Sequence, residues 1–476
     1  MKLRESSVRF GTSGVRGLVS DLCDGVCQLY VDAFLQKIVP TSKRIVLGCD
    51  LRDSSPRIVK ACAAAIHARG MDVLFVGALP TPALAYFALT EKIPAVMVTG
   101  SHIPFDRNGI KFYTSAGEIR KEDEIAITQA VITRGINFTG YNPLQNLTLL
   151  PTALAVYKQR YVDFFPASFL KGWRIGVYEH SSVARDFLPD LLRQFGAEVI
   201  SVGRTDEFVP IDTEAVSEED QALGRKWANK YQLDALLSTD GDADRPLIGD
   251  ENGNWLRGDI VGLLCATYLG AEVVVTPVSS TTSIERCGVF FHISRTKIGS
   301  PYVINEMETC LLNGQLRVVG FEANGGFLVG DPFVRQGQQL SSLPTRDAVL
   351  PMLALLAFAK EKGVKLSQLT TSLPQRFTAS DRIQNFPNES SRLLIAQLSS
   401  SNEAVRALLG GMCGEIITCN TMDGLRLTFD SDEIVHLRPS GNAPELRCYA
   451  EANSEIRANE LVKHVLCDLA HLSVPL

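Results

Sequence analysis

The sequence predicts an α/β protein: three similar mixed-sheet α/β domains followed by a smaller C-terminal α+β domain. Three observations predict it. First, three stretches repeat the order strand, Ser-Ser, helix, strand: "RIVLGCDLRDSSPRIVKACAAAIHARGMDVLFVG" at 44–77, "RIGVYEHSSVARDFLPDLLRQFGAEVISVG" at 174–203, and the shorter "EVVVTPVSSTTSIERCGVFFHISRTKIGS" at 272–300. Second, their strands are runs of Val, Ile and Leu without polar alternation, as strands are when helices cover both faces of a sheet. Third, from "GVKLSQLTTSLPQRF" onward the pattern changes to alternating strands such as "GLRLTF" and "LRCYAEA", with two helices.

Each unit follows in order. At 476 residues the chain exceeds what one core can serve. Residues 1–148 form the first domain, closed by the polar, turn-forming "NFTGYNPLQNLT" at 137–148. The helical "ALAVYKQRYVDFF" opens the second, 149–252, and the turn-rich "GDENGNWLRGD" at 249–259 leads into the third, 253–368, with a helix around 346–362. Residues 369–476 make the α+β unit. Strand-helix-strand order implies right-handed crossovers, so functional loops belong at the carboxyl ends of the strands.

Composition sets broad limits. Apolar residues make up 45% and charged residues 21% of the chain, as in soluble globular proteins. A net charge of −6 argues against nucleic acid or an anionic membrane surface as the main partner. The N-terminus lacks an apolar signal core and no run approaches 18 apolar residues, which reads as a cytoplasmic protein. The 11 cysteines are scattered without a C-x-x-C pair, which favours reduced core thiols over disulfides or zinc.

Four loops carry chemistry. In "VMVTGSHIPFDRNGIKFY" (96–113) a buried strand runs out at Gly100-Ser101-His102; Asn108-Gly109 is read as a second turn returning Lys111 toward the serine. A serine hydroxyl needs a base or cation to act as a nucleophile, and His102 and Lys111 are the local candidates; a tight turn with a capping serine is the plainer alternative. In "LDALLSTDGDADRPLIGDENG", Asp240, Asp242 and Asp244 alternate after an apolar strand, so an extended continuation turns three carboxylates to one side. Their mutual repulsion calls for a cation, and hard oxygen ligands point to magnesium. A calcium EF-hand fits poorly, because Arg245 and Pro246 interrupt the loop. An aspartyl-nucleophile phosphatase remains the chief rival.

"RVVGFEANGGFLVGD" bends Glu322 and Asn324 into the open beside glycines, a pairing suited to vicinal sugar hydroxyls, or to a simple hairpin. "IVHLRPSGNAPELRCYAEA" crowds Arg438, Ser440, Gly441 and Asn442 into one turn, with Arg447 beyond. Guanidinium groups and successive backbone N–H groups grip phosphate; an exposed turn with an ion pair is the alternative.

Four such loops in this order resemble the α-D-phosphohexomutase family of phosphomannomutases, phosphoglucomutases and phosphoglucosamine mutases, from "FGTSGVRG" (10–17) to "RPSGNAPELR" (438–447). The resemblance implies four domains around a central cleft and interconversion of hexose 6-phosphate and hexose 1-phosphate. A phosphoserine at Ser101 and a hexose 1,6-bisphosphate intermediate would carry the transfer, with mannose phosphate favoured over glucose or glucosamine phosphate. It implies Mg2+ held by Ser101, Asp240, Asp242 and Asp244. Arg16, His102, Lys111 and Arg245 would take catalytic roles, with burial or nearby positive charge lowering the Lys111 pKa toward neutrality. Glu322 and Asn324 would meet the sugar, and Arg438, Ser440, Gly441, Asn442 and Arg447 the unreactive phosphate. Departures are Cys49, Ile103, Asn324, Asn442-Ala443, and Gly326, where many bacterial members have a histidine. Phosphatase action on a sugar phosphate, or sensing without turnover, are the rival classes.

Overall fold

A computed structural model describes residues 7–11, 13–134, 140–142, 146–409, 411–440 and 444–471. The three repeats fold as expected. Arg44–Cys49 pairs in parallel with Asp72–Ala78, Arg174–Tyr178 with Glu198–Val202, and Val273–Pro277 with His292–Thr296. Their connecting helices are Ser55–Ala68, Phe187–Gln194 and, in the shorter third copy, the single turn Ser283–Arg286. Ser55–Ala68 is Ala-rich with proline in its first turn, a composition that favours helix and supplies a flat face for sheet packing.

The sheets are mixed. In the first, Arg44–Cys49 and Ala95–Val98 are parallel, while Arg107–Thr114 runs antiparallel between Ala95–Val98 and Val15–Leu18. The second ends in the hairpin Ala235–Thr239 with Pro246–Gly249. The third orders His292–Thr296, Val273–Pro277, Val318–Phe321, Phe327–Val329 and Leu343–Asp347. The last is antiparallel throughout: Phe377–Gln384, Glu445–Ala452, Ile434–Pro439, Leu425–Phe429 and Ile416–Asn420. Its described residues carry three helices rather than two: Asn388–Ser400, Asn402–Leu409 and Glu455–His471.

One hydrophobic core runs through the first three sheets, from Val46 and Met97 through Tyr157 and Leu188 to Val274 and Leu353. The last sheet has its own core, around Leu427, Cys448 and Val465. Polar contacts fasten it to the third unit: Ile298 N donates to Asp423 Oδ2 at 2.9 Å, Ser283 Oγ to the Pro374 carbonyl at 2.9 Å, and Arg286 meets Asp432 at 3.1 Å. The expected junctions at 252 and 368 fall within structure, the first inside the turn closed by the Gly249–Trp255 bridge and the second inside the helix Leu366–Thr371. Part of the 137–148 linker lies outside the described residues. The helix expected around 346–362 is Val349–Lys362. Among the described residues no helix is long and apolar enough to cross a membrane. None of the 11 cysteines forms a disulfide, and seven are buried.

Candidate active site

Ser101 follows the strand Ala95–Val98 and is itself the left-handed residue of the turn, at φ 54°. That conformation, uncommon outside glycine, swings its fully buried hydroxyl toward the second unit, where Oγ donates to Asp240 Oδ2 at 2.6 Å. His102 Nδ1 lies 3.4 Å from the same Oγ. Gly100 answers a packing constraint. A Cβ there would sit 2.5 Å from the Arg52 guanidinium carbon, so glycine makes room for Arg52.

Arg52 organises the loop. Its Nη1 donates to the carbonyls of Pro104 and Arg107 at 2.8 and 2.9 Å, and its Nη2 to those of Ser101 and Ile103 at 2.9 and 2.5 Å. Asp50 lies 3.3 Å from its Nε, and its guanidinium stacks on Phe208 at 3.9 Å from the ring centre. Asn108-Gly109 forms no second turn. Both lie within the strand Arg107–Thr114, opposite Gly17 and Arg16, where a Cβ on Gly109 would meet the Val15 carbonyl oxygen at 2.5 Å. That strand carries Lys111 into the site.

The three aspartates converge through a turn, not an extended strand. The strand ends at Thr239, Ala243 takes φ 55°, and Asp240 N closes the turn by donating to the Arg245 carbonyl at 3.2 Å. Their oxygens divide the work. Asp240 Oδ1 accepts from the backbone N–H groups of Asp244 and Arg245, and Oδ2 from Ser101. Asp242 Oδ2 accepts from Lys111 at 2.7 Å and Thr81 at 2.6 Å; Asp244 Oδ2 accepts from Lys111 at 2.7 Å and Arg346 at 2.9 and 3.1 Å. Asp242 Oδ1 and Asp244 Oδ1 are buried with no hydrogen-bond partner. One oxygen from each aspartate lies within 4.8 Å of the others, so the cluster suits a hard divalent cation.

Charge accumulates around this cluster. Burial and repulsion from Asp242 and Asp244 push the Asp240 carboxyl well above the usual range. Asp244 is lowered: burial opposes ionisation, but Arg346 and Lys111 outweigh it. The expected fall in the Lys111 pKa does not occur, because burial is outweighed by the two carboxylates and the ammonium is held charged. Arg16 Nη1 and Nη2 are buried without hydrogen-bond partners; burial and the Arg245 and Arg346 charges pull its pKa down to about 10. Arg245 Nε stands 3.7 Å from Asp244 Oδ1. Desolvation, then Arg245 and Arg16, push the His102 pKa well below its ordinary value, leaving the ring neutral. A buried guanidinium whose Nη atoms have no hydrogen-bond partner, next to Arg245 and a neutral imidazole, suits an anion.

Glu322 and Asn324 follow the strand Val318–Phe321. Glu322 Oε2 faces Arg346 Nη1 at 3.2 Å, which ties it to the aspartate cluster; Asn324 Oδ1 accepts from Gly326 N at 3.0 Å. Arg438 and Arg447 face each other across the last sheet, with Arg382 directly beyond Arg447. Arg438 Nε lies 2.9 Å from Asp423 Oδ2, Arg447 Nη2 and Arg382 Nε each 3.5 Å from Glu445, and Ser440 N donates to the Glu445 carbonyl at 2.8 Å. Gly441 and Asn442 lie outside the described residues. Arg382 and Arg447 line a cavity of about 280 Å³ with Asp212 and Glu214 of the second unit. Burial raises the Glu214 carboxyl against the pull of Arg447 and Arg245.

Sequence reasoning missed Arg52, Arg346 and Thr81. Asp50 and Arg52, charged residues directly after an apolar strand, were the available signal for the first; nothing local marks the other two. The site thus joins a buried serine, an acidic cluster, surplus arginines and a second cationic row.

Residues 7–135, 157–253 and 257–377 match, in turn, Phosphoglucomutase/phosphomannomutase alpha/beta/alpha domains I, II and III, and residues 395–466 match the C-terminal domain of the same description. The chain is 47% identical over 472 residues to a phosphomannomutase of Salmonella muenchen, covering 98% of this chain and 96% of that protein. It is 43% identical to a phosphomannomutase of Sinorhizobium fredii, covering 97% and 98% respectively. Among solved structures, a putative phosphomannomutase from Thermus thermophilus shares the fold with a TM-score of 0.76 at 21% identity, covering 98% of this chain and 99% of that one. With all four domains matched in order and two relatives alike along nearly their whole length, the chain belongs to the phosphoglucomutase/phosphomannomutase family.

Proposed function

We propose that this protein interconverts hexose 6-phosphate and hexose 1-phosphate, with mannose phosphate as its substrate, through phosphorylated Ser101 and a hexose 1,6-bisphosphate. The observation that carries the reading is the Ser101 hydroxyl at 2.6 Å from Asp240, within an aspartate cluster that keeps two unpartnered oxygens. The names of the Salmonella and Sinorhizobium relatives favour mannose over glucose or glucosamine phosphate.

In the forward half-reaction the bond from phosphorus to Ser101 Oγ breaks and a bond from phosphorus to the free sugar hydroxyl forms. The sugar hydroxyl loses a proton and Ser101 Oγ gains one. His102, 3.4 Å from Ser101 Oγ, and Lys111 are the groups proposed to carry that proton from the sugar hydroxyl to Ser101 Oγ. Magnesium would be held by Asp240, Asp242, Asp244 and the group on Ser101, and when bound supplies charge neutralisation on the transferring phosphoryl oxygens. Arg16 and Arg245 add positive charge to that group. Glu322 and Asn324 orient the ring, and Arg438, Ser440, Gly441, Asn442 and Arg447 hold the phosphate that does not react. The bisphosphate then turns end for end and returns its other phosphoryl group to Ser101, so added hexose 1,6-bisphosphate acts as activator.

We assign four domains, with the second junction after the Gly249–Trp255 bridge and the third after Leu366–Thr371. Separate packing of the last core supports its movement to admit and release substrate. Cysteines that form no disulfide support a reducing, cytoplasmic setting. A coupled assay with mannose 1-phosphate, glucose 1-phosphate and glucosamine 1-phosphate in parallel tests the reading. Formation of mannose 6-phosphate without inorganic phosphate is the expected result; stoichiometric free phosphate identifies a phosphatase instead.

A further inference from the structure

Arg382 lies on the first strand of the last sheet, Phe377–Gln384, and belongs to none of the four loops. It sits directly opposite Arg447, which in turn sits directly opposite Arg438. Residues paired this way across antiparallel strands project from one face, and the flanking Leu446 and Cys448 turn the other way, into the core. The three guanidinium groups therefore share the face turned away from that core. A cross-strand row of like charges destabilises a sheet, and such a breach of local rules is expected at a functional site. The row is also short of counter-charge. Glu445 serves both Arg382 Nε and Arg447 Nη2, each at 3.5 Å, and Arg447 Nε is buried with no hydrogen-bond partner. Arg382 and Arg447 line the cavity of about 280 Å³ together with Asp212 and Glu214 of the second unit. Its walls are thus polarised: a phosphate suits the sheet side, and neutral hydrogen-bond donors such as hydroxyl groups suit the acidic side.

We infer that Arg382 is a further guanidinium contact for the phosphate that does not react, so that this group is gripped across the strands Phe377–Gln384 and Glu445–Ala452 as well as by the 438–442 turn. The inference rests on the mutase reading of the site. A phosphate monoester has three terminal oxygens, and each gains from a charge-assisted hydrogen bond. Guanidinium groups on neighbouring strands offer planar forks to different oxygens of one phosphate, which a single arginine cannot do. Arg382 thereby adds binding energy at the unreactive end of the substrate without touching the reacting one.

The test uses the full-length protein and three variants: Arg382→Met, which removes the charge; Arg382→Lys, which keeps the charge and loses the fork; and Arg392→Met, which removes an exposed arginine from the helix Asn388–Ser400 on the core side of the same sheet. Calorimetry with Mg2+ gives Kd for mannose 1-phosphate and for inorganic phosphate, the coupled assay gives KM and kcat, and melting temperature verifies folding. Arg382→Met should raise both Kd values and KM about tenfold, the loss expected for a charge-assisted hydrogen bond, with a smaller fall in kcat. Arg382→Lys should recover part of the loss, and Arg392→Met should match wild type. Unchanged Kd values in folded Arg382→Met overturn the inference, as does a fall in kcat alone. Equal weakening in Arg392→Met overturns it too, by assigning the effect to net charge. Wild-type protein inactive on every hexose phosphate overturns the mutase reading; the Kd values still decide whether Arg382 grips the anion.

Discussion

Arg52 Nη2 donates to the Ser101 carbonyl at 2.9 Å, from a side chain that grips three further carbonyls of the same loop. The Ser101 hydroxyl is thus held in place through its own backbone. Arg52→Met should leave four carbonyls and the Asp50 carboxylate without their partner and destabilise the protein by about 3 kcal/mol. Urea denaturation measures that loss. Intact mass after incubation with hexose 1,6-bisphosphate should show less phosphorylated protein at equal folded fraction.

Ser101 sits at φ 54°, where a side chain costs about 1 kcal/mol relative to glycine. Ser101→Gly should therefore be more stable than Ser101→Ala by about that amount, with both variants unable to take up phosphate. Thermal melts and phosphopeptide mapping check the two halves independently.

Chelation should stop turnover, and Mg2+ should restore it. Asp242→Asn and Asp244→Asn each weaken a carboxylate with a buried, unpartnered oxygen. Both should raise the Mg2+ concentration for half-maximal activity at least about tenfold, the scale of losing one charged ligand contact. A Mg2+ titration of the initial rate measures it.

Two histidines away from the serine give the protein an acid limit. Burial pushes His180 and His436 down to about 4 from 6.5; each Nε2 faces a carbonyl, of Thr239 and Asp423, and each Nδ1 is buried without a partner. The folded state keeps both neutral, whereas the unfolded chain takes up protons once pH falls below about 6.5. Their contribution is complete above that pH and lost as pH falls toward 4, at about 1.4 kcal/mol per pH unit for each histidine. Urea midpoints between pH 7.5 and 5 should show the slope, and His436→Asn should reduce it.

Truncating Arg438 should raise KM for hexose phosphate about tenfold or more by removing a charge-assisted phosphate contact. The steady-state rate over a range of mannose 1-phosphate reads it directly, and Arg438→Lys should recover part of the loss.

The parts of this fold written in contiguous residues were legible from sequence. The three strand-helix-strand repeats, the loops ending them and the residues Ser101, Lys111 and Asp240 all follow from local pattern. What depended on distant partners was not. Asn108-Gly109 reads as a turn by composition, but pairing with Val15–Leu18 makes it strand. Alternating aspartates read as extended chain, but Ala243 in the left-handed region folds them into a cluster. Arg346 gave no signal, because Asp244 lies 102 residues away and Glu322 is joined only through the folded sheet. Lys111 was expected near neutrality because its two carboxylate partners belong to another domain.

The last sheet carries Arg438, Arg447 and Arg382 abreast on neighbouring strands, and like charges placed this way repel. Asp423 lies beside Arg438, and Glu445 beside Arg447 and Arg382. A dianion lodged among them would do what a rivet does for plates, and the domain would be stiffer with it than without. On the proposed reading cargo and scaffold are not separable here: the molecule being processed would complete the wall that encloses it.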